Sequence, residues 1–369
     1  MEEAEFPFIC ANIQAEGSEL GQPVGYAVLQ EGGLRLCFLG LIQTSAVSHI
    51  PATNPENLKN ITFSYYQEAA RRYKELRKKC DAFIGLTHLG YTSDSLLAME
   101  MPELDAIIGG HSHTLVREPK LINGVLVSQT GSNLKYAGIT TLEFKGKKLV
   151  NKTFRVVKLD TVKPIDAEVK KMVEDFSNRP EFLVKIGTTS KGLKHKENVA
   201  SLMADAMCYA ADCDFAFCNS GGVRSNSIPA GDITMENMYK IEPFGNYIVT
   251  HELTLAEMKE LILNRFNGLN NPEKRRIDLF ISQGRYTLLK NAEGEGIDVV
   301  FVDKEGHKLQ EGPRKYKVGL SNYVSTTYDF AGKGEGEDTG IYLVNAMENF
   351  VKSRGNVDYS ERRTFINKK

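Results

Sequence analysis

Asp105-Ala106-Ile107-Ile108-Gly109-Gly110-His111-Ser112-His113-Thr114 drives a short apolar run straight into two glycines and then two imidazoles. That is the pattern of a buried strand breaking into a tight loop. Ala82-Phe83-Ile84-Gly85-Leu86 leads in the same way into Thr87-His88-Leu89-Gly90. Imidazole is the commonest metal-binding side chain, and the tips of adjacent parallel strands converge on one crevice. Three of the seven histidines at two such tips outweigh the blander reading of each as a solitary loop histidine. His88, His111 and His113 are therefore candidate ligands for zinc, manganese or a similar divalent ion. Three histidines can hold a single zinc.

A second set of groups lies farther along the chain. Asn219-Ser220-Gly221-Gly222-Val223-Arg224 places an amide and a guanidinium on either side of a glycine turn. An amide offers donor and acceptor together, suited to a base or ribose edge. Arginine offers a charged fork suited to phosphate or ribose oxygens. Pro243-Phe244-Gly245-Asn246 and Ser321-Asn322-Tyr323 each add an aromatic ring, with Tyr328 and Phe330 close behind the second. Taken alone, such rings are more often core residues than ligand clamps.

Thr-His-Leu-Gly followed about twenty residues later by Gly-Gly-His-Ser-His-Thr resembles the second half of the calcineurin-like metallophosphoesterase domain of 5'-nucleotidases. Phe8-Ile9-Cys10-Ala11-Asn12-Ile13 fits the segment that opens this half. The Asn219–Arg224 and Pro243–Asn246 segments resemble the two signatures of that family's nucleotide-binding C-terminal domain. The resemblance implies a metal-dependent hydrolase acting on phosphate esters of nucleotides. It makes His88, His111 and His113 metal ligands, and Asn219, Arg224, Phe244, Asn246 and Tyr323 substrate contacts. Phe244 and Tyr323 would clamp the base. It implies a fold of mixed α/β and α+β character: half of an α-β-β-α metallophosphoesterase sandwich, joined by a linker helix to a mixed α/β nucleotide-binding domain. In the family the domains rotate about that helix to bring substrate to metal.

The family pattern is incomplete here. Its metal site also uses an Asp-x-His motif, a bridging Asp and an Asn-His pair, all preceding the Phe8 segment. No Asp-x-His and no Gly-Asn-His-Glu occur in the sequence, and Met1 stands only seven residues before Phe8. The expectation is a chain without the first half of the catalytic domain and without the general-acid histidine, giving little or no turnover alone. A second polypeptide is one source of the absent ligands. The alternative is a non-catalytic nucleoside- or nucleotide-binding protein. A second departure is Val324-Ser325-Thr326-Thr327-Tyr328-Asp329-Phe330-Ala331-Gly332, where the family usually has Gly-Gly-Asp-Gly and an aromatic. The ribose-binding Asp has no secure equivalent. Lys194, in Lys194-His195-Lys196-Glu197, is a weak match to a family Arg-x-x-Glu.

At 369 residues the chain is long enough for two domains. Hydrophobic residues at 41% and charged residues at 25% mark a globular protein. A net charge of −1 gives no electrostatic case for a nucleic-acid polymer or an anionic membrane. The basic runs Lys74–Lys79 and Lys274–Arg276 read as solvated helix ends. No apolar stretch approaches a spanning helix, and the acidic Met1-Glu2-Glu3-Ala4-Glu5 start is unlike a secretory signal. Relatives in the family are commonly exported, so the compartment stays open. Cys208, Cys213 and Cys218 are evenly spaced, yet read as single buried thiols rather than a metal cluster.

These groups need elements to position them. Leu34–Gly40, Ala82–Leu86 and Asp105–Ile108 read as strands, with a helix over Thr62–Lys79 (Tyr65, Ala69, Tyr73 and Leu76 on one face) and another over Ser93–Met99. That order favours parallel pairing under covering helices. Val125–Gln129, Ala137–Phe144 and Thr153–Leu159 alternate like antiparallel strands. We expect a first domain over 1–157 and a linker over 158–184, with a helix through Val169, Met172, Val173 and Phe176. A second domain would cover 185–369, opening on a helix Asn198–Ala211 and a strand Asp214–Cys218. Gly332–Gly340 reads as an acidic, glycine-rich loop.

Overall fold

The computed structural model describes residues 4–45, 49–51, 53, 55–268, 275–334 and 336–368. Lys274 and most of the acidic start thus lie outside the described residues. The chain divides into two units, Met1–Asp166 and Ala167–Lys369. No helix among the described residues is long and apolar enough to cross a membrane.

The first unit begins with β1 (Ile13–Gln14), β2 (Tyr26–Glu31), β3 (Leu34–Ile42), β4 (Thr62–Phe63) and α1 (Tyr66–Arg71). It continues with β5 (Ala82–His88), α2 (Tyr91–Glu100), β6 (Ala106–Ile108), β7 (Lys120–Ile122) and β8 (Val125–Ser128). β3, β5, β6 and β8 run parallel in a sheet ordered β2-β3-β5-β6-β8-β7, with β2 and β7 antiparallel at the margins. β8 is thus parallel to β6, whereas its alternation suggests an antiparallel strand. Its four residues are all buried, so covering on both faces, not pairing direction, governs its composition.

One face of this sheet packs Leu39, Phe83, Ile107 and Val127 against Tyr66, Ala69, Leu97 and Met101 of the helical layer. Thr62–Lys79 is not one helix. β4 pairs with β1 through Ile13↔Phe63, α1 follows, and a 3-10 segment covers Lys74–Lys79. Cys80 ends that segment in extended conformation and is disulfide-bonded to Cys37 of β3, with Cα atoms 5.8 Å apart. The pairing is absent from the sequence reading. The other face meets the hairpin β9 (Tyr136–Lys145) and β10 (Lys148–Lys158). Phe154 buries against Ala106, Val116 and Leu126 there, while Leu86 and Ile108 stay exposed.

The second unit starts with α3 (Ala167–Ser177), α4 (Pro180–Leu183), β11 (Lys185–Thr189) and α5 (Lys196–Ala211). Val169, Met172, Val173 and Phe176 of α3 are all exposed. Then come β12 (Phe215–Asn219), β13 (Gly231–Thr234), α6 (Met235–Ile241), β14 (Tyr247–Thr254) and α7 (Leu255–Asn267). The unit closes with β15 (Leu279–Ile281), β16 (Arg285–Lys290), β17 (Gly296–Val302), β18 (Lys315–Ser321), α8 (Asn322–Thr327), β19 (Glu337–Tyr342), α9 (Leu343–Arg354) and β20 (Thr364–Lys368). Part of Gly332–Gly340 is therefore strand: Glu337 and Asp338 pair with β14.

The central sheet is ordered β15-β12-β18-β14-β19. β12 shows why it must be central: Ala216 and Cys218 face a core with Ala200, Met203 and Met207 of α5 and Met347 of α9. Phe215 and Phe217 face the opposite core with Met258, Leu261, Tyr286 and Phe301. A strand buried on both sides has no polar alternation to keep.

Candidate functional site

The parallel register Leu86↔Ile108 brings the end of β5 beside the end of β6, so His88 and the Gly109–Thr114 loop leave the sheet together. The rings of His88 and His111 stand edge to face with centroids 5.1 Å apart. Glycine is needed for that approach: a Cβ on Gly110 would lie 3.0 Å from His88 Nδ1, and one on Gly109 would strike the Asp94 carboxylate. His111 and His113 both adopt left-handed backbone conformations (φ 75° and 55°). Non-glycine residues held there cost on the order of 1–3 kcal/mol each and persist only where the surroundings enforce them.

Buried Gln129 does the enforcing. Its Nε2 donates to Gly110 O, and its Oε1 accepts from Thr114 N and, at 2.8 Å, from Ser112 Oγ. Ser112 Oγ in turn accepts from Tyr91 N at 2.9 Å. Burial, then the neighbouring imidazoles, pushes His111 below the usual histidine range. Burial, then His113, does the same to His88. Both shifts favour the neutral imidazole, the form that donates an electron pair to a metal ion. Yet among the described residues no three His, Cys, Asp or Glu side chains form a group that could hold a metal ion. Two neutral imidazoles side by side suit one side of a metal centre. They do not make up a two-metal centre, which needs bridging carboxylates as well.

In the second unit, Asn219 is buried at the end of β12. A Cβ on Gly222 would lie 2.6 Å from its Oδ1, so only glycine lets the turn fold over the amide. Arg224 N donates to Ile241 O, tying the loop to the end of α6. The Arg224 guanidinium stands 5.6 Å from the centroid of the Phe244 ring, and Phe244 is 56% exposed. Two segments twenty residues apart thus meet as a cation beside an open aromatic face. Buried Glu242 fixes the second segment by accepting from Phe244 N, Gly245 N and Asn246 Nδ2. Asn246 is itself buried, and its carbonyl accepts from Leu343 N. Its place is inside the loop.

Tyr323 is half-buried on α8 and makes an edge contact with Tyr328, but not with Phe244 among the described residues. Tyr328 and Phe330 are core residues. Tyr328 spends its hydroxyl on Asp278. Lys194 is exposed. Lys196, at the start of α5, is half-buried. Burial first, then the positive charges of Arg224 and Arg276, lowers it, while Asp278 opposes that shift. Asp278 is itself paired with Arg265 at 2.7 Å, so the mutual repulsion of Lys196, Arg224 and Arg276 leaves local positive charge suited to an anion. In the sequence Arg276 reads as a solvated helix end, and Lys196, Glu242 and Gln129 are not singled out. Lys196 alone carried a signal, two residues from the lysine chosen instead.

Residues 184–331 match the family model of the 5'-nucleotidase C-terminal domain. That stretch carries a 5'-nucleotidase C-terminal domain, and the chain is similar to 5'-nucleotidases beyond it. Its relatives include a trifunctional nucleotide phosphoesterase of Bacillus subtilis, 26% identical over 90% of this chain and 24% of that protein. A 5'-nucleotidase of Vibrio cholerae is 29% identical over 66% of this chain and 54% of its own length. The chain thus spans about a quarter and about half of those two relatives. Among solved structures, the 5'-nucleotidase precursor of Thermus thermophilus superimposes with a TM-score of 0.81 at 25% identity, over 99% of this chain and 79% of that one. The mixed α/β architecture expected from the sequence is the fold of this family.

Proposed function

We propose that this chain is the nucleotide-binding portion, with one side of the metal site, of a metal-dependent nucleotide phosphohydrolase. The observation that carries the reading is the meeting of Arg224, exposed Phe244 and the Asn219 turn. Phe244 stacks a base, Asn219 hydrogen-bonds the base or ribose edge, and Arg224 with Lys196 draws the phosphate. Tyr323 is the candidate second ring. His88, His111 and His113 are the ligands this chain contributes. Divalent ions, when bound, supply Lewis acidity toward a phosphoryl oxygen. Carboxylates and the remaining histidines are supplied by residues this sequence does not contain, so the chain alone has little or no turnover.

Two titrations and one assay test the reading. Adenosine 5'-monophosphate and adenosine both bind by calorimetry. Phe244→Ala weakens both by about 1–3 kcal/mol, the worth of one stacked base, while Arg224→Ala weakens the monophosphate far more than the nucleoside. Equal losses for both ligands would remove Arg224 from the phosphate. Phosphate release from the monophosphate with manganese or zinc is expected from neither the wild type nor His113→Ala. Histidine-dependent release would overturn the one-sided metal site.

One observation favours a second reading, a binder without catalysis: no three ligand groups come together among the described residues. That reading predicts nucleotide binding with no histidine-dependent metal uptake, and metal analysis of the purified chain separates the two.

A further inference from the structure

The C-terminal end of α5 puts two thiols together. Asp212 is left-handed (φ 48°) directly after the helix, and its N–H bonds the Cys208 carbonyl. The same carbonyl accepts from Cys213 N at 3.1 Å. A helix closed by this six-residue bond brings the side chains at the bond's two ends into contact, a place ordinarily filled by a hydrophobic pair. Here both are cysteines. Cys208 Sγ donates to the Cys213 carbonyl at 2.7 Å, and Cys213 Sγ lies 3.7 Å from the Cys208 carbonyl. Gln283 Nε2 donates to Cys208 Sγ at 3.2 Å. Both thiols are free and buried, as the sequence suggests, and they lie side by side.

Both cysteines line a cavity of about 750 Å³, within the size range of small-molecule sites. It opens at the Phe215 end of β12, the opposite end of that strand from Asn219. Arg285 and Arg354 on its wall make no ion pair among the described residues, and Asp212 and Glu361 add negative charge. Unpaired cations near carboxylates suit a small zwitterionic ligand. A hydrogen bond from Cys213, assisted by Gln283 and Ser282, brings the Cys208 thiol down to about 7 against the effect of burial. The same hydrogen bond, with burial, pushes Cys213 up. Cys218 is the internal contrast: wholly buried, its Sγ donates to Ala200 O at 3.3 Å and does not reach the cavity.

We propose that Cys208 and Cys213 are a dithiol that exchanges with a low-molecular-weight, zwitterionic disulfide docked in this cavity. The Cys208 thiolate attacks one sulfur of the bound disulfide RSSR. A Cys208–S–S–R bond forms, and RS⁻ leaves and takes up the proton that Cys208 gave up. Cys213 then loses its proton and attacks Cys208 Sγ, expelling the second RS⁻, which is protonated in turn. The dithiol is oxidised by two electrons, and the small disulfide is reduced to two thiols.

Glutathione disulfide is the probe, added to the folded full chain near pH 7 and followed by mass spectrometry with peptide mapping. The wild type should lose two hydrogens, mapped to a Cys208–Cys213 bond. Cys213→Ser should stop at one stable glutathione adduct on Cys208, and Cys208→Ser should form neither product. Arg285→Ala combined with Arg354→Ala should slow reaction with glutathione disulfide severalfold and leave the rate with uncharged 2-hydroxyethyl disulfide unchanged. Circular dichroism confirms that each variant is folded. Reaction of wild-type Cys208 no faster than that of Cys218 would overturn the dithiol and needs no variant. It would leave the pair as packing at a helix end. Equal slowing with both disulfides would overturn docking in the cavity.

Discussion

Glu242 is almost wholly buried, yet three donors converge on its carboxylate: Phe244 N at 3.1 Å, Gly245 N at 3.1 Å and Asn246 Nδ2 at 2.8 Å. Burial raises its pKa, and the hydrogen bonds only partly offset that. A carboxyl raised in this way binds its proton more tightly folded than unfolded. Its contribution to stability is full below the ordinary carboxylate range and is lost as pH rises through the raised value. Glu242→Gln removes this titration and turns an amide N–H₂ toward at least one backbone donor. Leaving buried donors unsatisfied costs about 1–3 kcal/mol. The expected result is a less stable variant whose deficit against wild type is largest at the acid end and narrows as pH rises through the window. Denaturant unfolding at several pH values measures it; a deficit that widens with pH would show that the hydrogen bonds outweigh burial, and one independent of pH that the carboxylate is not the group in control. At this scale the loop positions of Arg224 and Phe244, and the turn after Asn219, were legible in the sequence, because glycines and a proline flag turns. Glu242 was not: its role exists only once the chain folds back over it, and no spacing records that.

Among the elements, strand order and direction were easier to read than helix boundaries. β3, β5 and β6 announce themselves as apolar runs ending in glycine or histidine, and their parallel pairing follows from the helices between them. Tyr65, Ala69, Tyr73 and Leu76 repeat at helical spacing, but Tyr73 (φ −106°, ψ 7°) interrupts the helix and Lys74–Lys79 continues as a 3-10 segment. A 3-10 segment rises about 2.0 Å per residue against about 1.5 Å in an α-helix, so the same residues carry Cys80 farther, to where it meets Cys37. Spacing of side chains cannot distinguish the two because both bury Leu76. The disulfide spans a separation of 43 residues. Cross-linking a loop of that length is worth about 4 kcal/mol in the chain-entropy account. Replacing Cys37 and Cys80 together by serine should lower the first unit's unfolding free energy by an amount of that order and leave the second unit's transition in place. Calorimetry of the full chain resolves the two. A shift confined to the second unit's transition, or none at all, would mean that the cross-link does not hold β3 to the helical layer.

For each unit as a whole, burial on both faces of the central strands is the rule that organises the chain, and one surface breaks it. Strands of a parallel sheet are ordinarily covered on both sides. In the second unit they are: β12 meets one core through Ala216 and Cys218 and another through Phe215 and Phe217. In the first unit, β5 and β6 are covered on the helical side, while on the other side the β9–β10 hairpin reaches Ala106 and Leu126 through Phe154 and stops. Leu86 and Ile108, register partners on that face, are left 46% and 39% exposed, and Leu29 on the marginal strand β2 is 52% exposed. Adjoining apolar side chains in the middle of a sheet are an association surface, and β2 adds an edge strand open to pairing. Which residues form this face is not legible in the sequence, because that depends on how far the hairpin reaches. The full chain should therefore self-associate with rising concentration. Leu86→Lys together with Ile108→Lys should return it to a monomer in sedimentation velocity while leaving nucleotide binding at Phe244 unchanged. A wild type that stays monodisperse at high concentration would show that the face is too small or too interrupted to bury itself. Association that survives both lysines would move the contact to the β2 edge, where pairing runs through the backbone and is indifferent to side-chain charge.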